Sequence, residues 1–440
     1  MLQSLANPFK IQELRGRILF TLALLAVYRI GVFIPTPGVD QIVLFSWFER
    51  MRGTMFELLD LFTGGAFSNL SIFALGIMPY ISASIIMQLL TMVIPHLERL
   101  SKEGEAGRRK ITRYTRYLTI GISIVQSLGL AFGMQNQEIA EGVRIVPQEV
   151  AGTGFILMTV LTMTTGTAFI MWLGEQITER GIGNGCSLII FVGIVARLPT
   201  AIGNTIKKLI VGDLGIFSLL GVLIIILLTI IVVITMLQGH RRIPITHAKR
   251  VVGRKVYGGV STHIPLQINQ AGVIPVIFAS ALLAFPITIM QFLGERAALF
   301  EGFAQDFVRG GVVYSSLYAV LILYFTYFYT TIVFKPNDVA ENLRKYGGFI
   351  PGIRPGRATA EFIEKILSRI TLVGALFLVV ISLLPTILTS SFGVPFYFGG
   401  TALLIVVGVA LDTMKQIESH LLMHHYEGFI KRGRLKGRGR

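Results

Sequence analysis

Residues Met55–Ile94 read MFELLDLFTGGAFSNLSIFALGIMPYISASIIMQLLTMVI, and no soluble domain accounts for them. The last 24 residues, Ser71–Ile94, contain no Asp, Glu, Lys or Arg. A helix needs about 20 such residues to cross ~30 Å of hydrocarbon, so this is a membrane span. The segment before it, Met55–Asn69, is apolar over Phe56–Phe62 but far too short to cross. Gly64-Gly65 then breaks the helix, because glycine is costly inside helices and permits sharp turns. A short apolar helix, a break and a full span make a re-entrant pattern, and irregular backbone survives in a bilayer only where protein or a water-filled cavity surrounds it. Two readings stand: a plug folding back into a cavity from outside, carried by Phe56, Leu58, Leu59, Leu61, Phe62, Gly64 and Gly65, or an interfacial helix lying flat on the outer leaflet.

Working outward, nine further apolar runs appear. With Ser71–Ile94 they are Ile18–Ile34, Leu118–Met134, Gly152–Leu173, Cys186–Gly203, Gly215–Leu237, Ala271–Leu293, Val312–Phe334, Ile370–Leu388 and Phe396–Leu411. The fold class expected is an all-α polytopic membrane protein with ten transmembrane helices and a short re-entrant plug helix. An odd five spans per half make the second half enter the membrane from the opposite face, giving two inverted-topology halves. The expected division is an N-terminal half over residues 1–203 with the plug at about 55–69, a C-terminal half over 204–420 and a basic tail over 421–440.

The composition agrees. The 440 residues are 53% hydrophobic and only 15% charged, yet carry a net charge of +16. An ordinary soluble domain carries roughly 25% charged residues. The charge sorts by side: 31 Lys and Arg fall on the side of the two termini and 8 on the other, with Arg29 inside the first span. The positive-inside rule places both termini in the cytoplasm. The first span offers no small-residue cleavage site at Ile34-Pro35-Thr36-Pro37, so it is not a signal peptide. Arg29 sits five residues from the outer end, about 7.5 Å, close enough to snorkel to the interface.

Ion-coupled carriers place ionisable residues near the midplane, and these spans hold almost none. Ile77 and Ile81 share one helix face, and Ile189, Ile190, Ile277 and Ile405 supply further isoleucines. As a set they are compatible with a dry constriction that gates by dewetting. Gln88, Gln126, Asn269 and Gln270 are uncharged amides, whose ordinary role is helix–helix hydrogen bonding. Two cytoplasmic loops exceed what topology signalling needs. The 6/7 loop, residues 238–270, carries Arg241, Arg242, Lys249, Arg250, Arg254 and Lys255 without an acidic residue, in a hairpin-like pattern. The 8/9 loop, residues 335–369, contains the turn Gly352-Ile353-Arg354-Pro355-Gly356 followed by Arg357. Both suit docking onto RNA phosphates or an acidic protein face. The single Cys186 and seven scattered histidines give no metal site, and no NTPase or hydrolase motif is present, so neither cofactor nor enzymatic activity is expected.

The strings Leu61–Ala66, Ser71–Ser84, Gly174–Gly185, Gly272–Pro275, Gly352–Gly356 and Pro395–Thr401 together resemble the SecY family, the channel subunit of the bacterial Sec protein translocon, in order and essentially end to end. The resemblance implies a protein-conducting channel of the bacterial plasma membrane. It implies a hydrophobic pore ring at Ile77, Ile81, Cys186, Ile190, Ile277 and Ile405, with cysteine where an aliphatic residue is usual. It places a plug at about Met55–Asn69 and a lateral gate near Gln88, Gln126 and Asn269. It makes the 6/7 and 8/9 loops the docking surface for the ribosome and the SecA ATPase motor, with Arg354 matching the arginine tied to motor-driven translocation. SecE-like and SecG-like small membrane subunits, signal-sequence-bearing substrates and the lipid bilayer are the remaining partners it implies. A secondary transporter would need midplane ionisable residues, and a docking scaffold would give a plug and an isoleucine ring no purpose.

Overall fold

A computed structural model describes residues 11–50, 60–136, 138–140, 143–212, 215–247, 250–252, 255–257, 261–293, 311–392 and 400–432. The chain divides into two compact units. One comprises Met1–Asn204, Ala281–Gly311 and Val409–Arg440; the other comprises Thr205–Ser280 and Val312–Gly408. The long segment of the first unit thus ends one residue from the boundary expected at 203, while two later segments group with it rather than with the second unit.

Among the described residues, six helices are long and apolar enough to cross a bilayer, and a bent pair makes a seventh. In the first unit the chain runs through α1 (Gln12–Gly31), a short α2 (Gln41–Arg50), α3 (Met78–Val93), α4 (Pro95–Lys102), α5 (Glu105–Asn136), α6 (Thr153–Arg180), α7 (Gly185–Ala196) and the start of α8 (Leu198–Val211). The second unit carries α9 (Ile216–Gln238), the start of α10 (Ile274–Leu293), α11 (Val312–Val333), α12 (Pro336–Lys345), α13 (Arg357–Phe392) and the start of α14 (Gly400–Arg432). α1, α10 and α14 occupy the sequence positions of the first, seventh and tenth expected spans.

The helices depart from the apolar runs for identifiable reasons. α5 begins at Glu105, well before the apolar run, because the preceding charged residues are good helix formers. At 1.5 Å per residue its 32 residues span about 48 Å, more than the hydrocarbon thickness. α3 is helical only from Met78, with Pro79 in its first turn where no amide hydrogen is required. It ends where Pro95 forces Ile94 into the extended region, and the chain bends by 100° into α4. α4 buries Leu97 and Leu100 against Met87 and leaves Arg99 and Lys102 in solvent. Arg197 alone separates α7 from α8, and between α5 and α6 strand β1 (Glu138–Ala140) pairs antiparallel with β2 (Val143–Arg144).

The two basic loops of the second unit form one structure. Strand β3 (His240–His247) pairs antiparallel with β6 (Ser261–Gln267), from His240 opposite Gln267 to Thr246 opposite Ser261. The arm continues outward as β4 (Arg250–Val252) and β5 (Lys255–Tyr257), themselves paired. On its other edge β3 takes a two-residue strand of the 8/9 loop, β7 (Gly348–Phe349), so the order is β6-β3-β7. Ile243 and Leu266 of the sheet pack with Ile350 and with Ile363 of α13, making a small core of their own. The 6/7 loop is therefore the hairpin its β-branched flanks suggested; its attachment to the 8/9 loop has no counterpart in the apolar pattern.

Candidate channel site and docking face

The re-entrant segment is built from its break outward. Residues 60–63 are helical; 64–77 turn irregularly, with Gly64 at φ +66°, Gly65 at +94° and Gly76 at +57°. Only glycine adopts such angles without cost, which is why the break carries Gly-Gly. Asp60, Leu61, Phe62, Thr63, Ala66 and Phe67 are all buried. Phe56, Leu58 and Leu59 lie outside the described residues. The segment is tied to the loop after α1 by a bridge between Pro35 and Ser71 and by the Thr36 amide donating to Leu70 O at 2.9 Å.

The carbonyls freed at the break have partners. Tyr28 Oη donates to Thr63 O at 2.9 Å, and Arg29 Nη1 donates to Gly64 O at 2.8 Å. Arg29 therefore does not simply snorkel: it is half-buried, bonds the backbone of the re-entrant segment and sits 5.4 Å from the Phe33 ring centroid. On the other flank the Arg197 guanidinium pairs with the Asp60 carboxylate and donates to Ser68 Oγ at 3.2 Å. The second oxygen of Asp60 accepts from the Ser68 amide at 2.7 Å. Between the two arginines, Gly64 packs on Gly193 of α7 so closely that a Cβ added at Gly64 would lie 2.5 Å from the Gly193 Cα.

The expected ring residues are placed as follows. Ile77 caps α3 and is buried, and its carbonyl accepts from the Ile81 amide at 3.1 Å, one turn on. Cys186 and Ile190 stand on the first turns of α7, where Asn184 caps the helix by accepting from the Ser187 amide at 3.2 Å. These four belong to the first unit. Ile277 of α10 and Ile405 of α14 belong to the second and are both buried. The Val273 side chain, just before α10, approaches α14 at Gly408 so closely that a Cβ there would lie 2.2 Å from Val273 Cγ2.

Gln88 is half-buried and Asn269 buried, and each donates a local hydrogen bond. Gln88 Nε2 donates to Ser84 Oγ at 3.4 Å, and its Oε1 is buried with no partner among the described residues. Asn269 Nδ2 donates to Gly272 O at 2.8 Å, and its Oδ1 is likewise unsatisfied. Gln126 is buried in α5. Of the basic residues expected to dock partners, Arg241 and Arg242 are exposed on β3, and Arg250 and Lys255 lie on β4 and β5; Lys249 and Arg254 fall outside the described residues. Arg354 is exposed in a turn with Gly352 at φ +81° and Gly356 at +107°. Arg357 opens α13 and bonds Glu361 at 2.9 Å.

A family model described as SecY matches residues 71–414. The protein translocase subunit SecY of Escherichia coli K12 is 50% identical over 430 residues, which are 97% of this chain and 96% of that one. The chain belongs to the SecY family. Its fold agrees with that of a solved SecY whose plug domain is described as stabilising the closed state of the translocation channel, with TM-score 0.61, 18% identity and 92% of each chain covered. It also agrees with Sec61 in the canine ribosome–channel complex from the endoplasmic reticulum, with TM-score 0.59, 15% identity and 92% of each chain covered.

For a SecY chain, sequence reasoning named the re-entrant segment and missed what grips it. In the sequence Tyr28, Arg29, Gly193 and Arg197 are residues of the first and fifth apolar runs and Asp60 an acid in the re-entrant segment, with nothing local to link them. The usable signal was Arg29: a charge inside an apolar helix needs a partner, and a broken segment nearby has free carbonyls.

Proposed function

We propose that this multi-pass membrane protein is the channel through which unfolded polypeptides cross the plasma membrane of a bacterium and from which membrane proteins enter it. The reading rests on family membership over nearly the whole chain and, in the structure, on one observation. Irregular backbone over residues 64–77 is buried inside a helical unit of a membrane protein. Such backbone is tolerated only beside protein or a water-filled cavity, which a plug seated in a channel provides.

In this reading Ile77, Ile81, Cys186, Ile190, Ile277 and Ile405 form an apolar ring. A ring without polar groups grips no side chain strongly, so it passes any sequence, and at rest it excludes ions by dewetting. Residues 55–69 are the plug. Gln88, Gln126 and Asn269 line the gate toward lipid, and the unsatisfied oxygens of Gln88 and Asn269 are acceptors that an entering segment can engage. The channel holds no energy source. The β6-β3-β7 sheet and the Arg354 turn recruit one, a translating ribosome or the SecA motor, while SecE-like and SecG-like subunits complete the membrane complex. Both termini lie in the cytoplasm, as the 31 to 8 division of Lys and Arg requires.

Photocrosslinkers at Ile77, Ile277 and Ile405 test the reading. An export substrate arrested in transit should crosslink from all three. Crosslinks to lipid alone, with the substrate reached only from helix exteriors, would overturn it.

A further inference from the structure

The re-entrant segment is held at its break by two arginines, Arg29 on α1 and Arg197 at the joint between α7 and α8, and each grips a different kind of group. Arg197 holds a side chain, the Asp60 carboxylate, which is 5% exposed. Arg29 holds a backbone carbonyl, Gly64 O, at 2.8 Å. Ser68 closes the loop between them, because its amide donates to Asp60 at 2.7 Å and its hydroxyl donates to Gly65 O at 3.1 Å. Residues 60–68 are thus a closed loop pinned on one side by Arg197 and on the other by Arg29, with Gly193 filling the space between.

We propose that Arg197 with Asp60, and Arg29 with the Gly64 carbonyl, form a two-armed catch that positions the plug in the resting channel and sets the threshold for its release. The inference rests on the plug reading above. An interaction shifts a two-state equilibrium only if it exists in one state and not in the other. Every partner in this catch apart from the arginines belongs to residues 60–68, so displacing that loop breaks both arms at once.

The chemistry suits a catch rather than a permanent bond. Removing one partner of a buried ion pair leaves an uncompensated charge, which keeps the pair closed while the site is dry. Arg197 is 30% exposed while Asp60 is 5% exposed, so it is the carboxylate that the closed pair desolvates most fully. The two arms also differ in dependence on sequence. The Arg29 arm needs only a carbonyl, whereas the Arg197 arm needs the carboxylate at position 60.

The test uses the complete translocon in planar bilayers without substrate. D60N keeps an oxygen that accepts from the Ser68 amide but loses the ion pair, and R197Q removes it from the other side. Each should raise the resting open fraction by roughly tenfold, the effect of losing one charged hydrogen bond. The exchanged pair D60R/R197D should bring it back toward the parent value. Tight resting channels in both single variants overturn the catch, as does an exchange as leaky as D60N. Deleting residues 56–65 separates the two proposals. A leaky deletion beside tight single variants leaves the plug and removes the catch, whereas a tight deletion removes the plug and the catch with it. If the exchanged pair does not assemble, R197K replaces it: it keeps the charge without the fork and should fall between parent and R197Q, and a value equal to R197Q overturns the ion-pair arm.

Discussion

Thr246 of the 6/7 arm pairs across an antiparallel ladder with Phe349 of the 8/9 loop. Loops about a hundred residues apart in sequence are therefore parts of one sheet over one core and present themselves as a single body. Ile363 of α13 is fully buried beneath that sheet. Truncating it to alanine removes buried methyl groups from a core of few residues, at a cost of about 2–5 kcal/mol. Ile363→Ala should make the 6/7 arm and the 347–356 turn sensitive to added protease together, in inside-out vesicles, while the spans stay intact. Sensitivity of only one of the two would show that the sheet does not act as a unit.

Gly64 and Gly104 both sit at positive φ, +66° and +76°, but only Gly64 faces another backbone. Nothing lies within 4 Å of a Cβ at Gly104, so Gly104→Ala meets only the left-handed strain of roughly 1–2 kcal/mol. Gly64→Ala meets that strain and also the Gly193 backbone, where overpacking adds about 1–3 kcal/mol. The Gly64 variant should lose more thermal stability in detergent than the Gly104 variant, and it alone should raise resting ion conductance. Equal effects on both measures would remove the Gly64–Gly193 contact from the account.

How much of this was legible in the sequence depended on whether a feature repeats along the chain. The apolar stretch of α9 is visible because hydropathy accumulates over its length, with a mean of 3.3 over its core. The outward extension of α5 to Glu105 was not visible, because hydropathy reports the bilayer and not the helix. Pro95 marks the end of α3 through the restriction it places on Ile94, a local signal that coincides with the end of the apolar run Ser71–Ile94. Strand β7 is two residues long and has no periodicity to detect. The catch around Gly64 was opaque for another reason. Arg197 and Asp60 are separated by 137 positions, and nothing local links an arginine late in the fifth apolar run to an acid in the re-entrant segment until the fold brings them together.

Gln88 is a half-buried amide whose carbonyl oxygen is buried with no partner among the described residues, and the bond its amide nitrogen donates to Ser84, at 3.4 Å, is long. An unsatisfied buried acceptor costs about 1–3 kcal/mol. Replacing Gln88 with leucine removes that penalty and gives up little, so Gln88→Leu should raise the melting temperature in detergent. If the open acceptor serves entering segments at the gate, the same variant should change how strictly signal sequences are discriminated. A more stable protein with unaltered export of substrates bearing defective signals would show that the amide has no role at a gate.

Arg354 is exposed on a turn stiffened by two positive-φ glycines, Gly352 and Gly356, and by Thr359, whose hydroxyl donates to the Arg354 carbonyl at 3.0 Å. The turn fixes where the guanidinium projects without burying it, which suits a group that meets a partner rather than one that holds the fold. Reversing its charge should leave stability within about 0.5 kcal/mol, as for other surface substitutions. An acidic partner face would then be repelled where it had been attracted. Arg354→Glu should therefore impair motor-driven export in proteoliposomes strongly while leaving ribosome-driven insertion of membrane proteins largely intact, and export should respond steeply to salt in the parent and weakly in the variant. Equal loss of both activities would mean that the turn serves the channel itself, and no loss of either would place the docking contact elsewhere on the sheet.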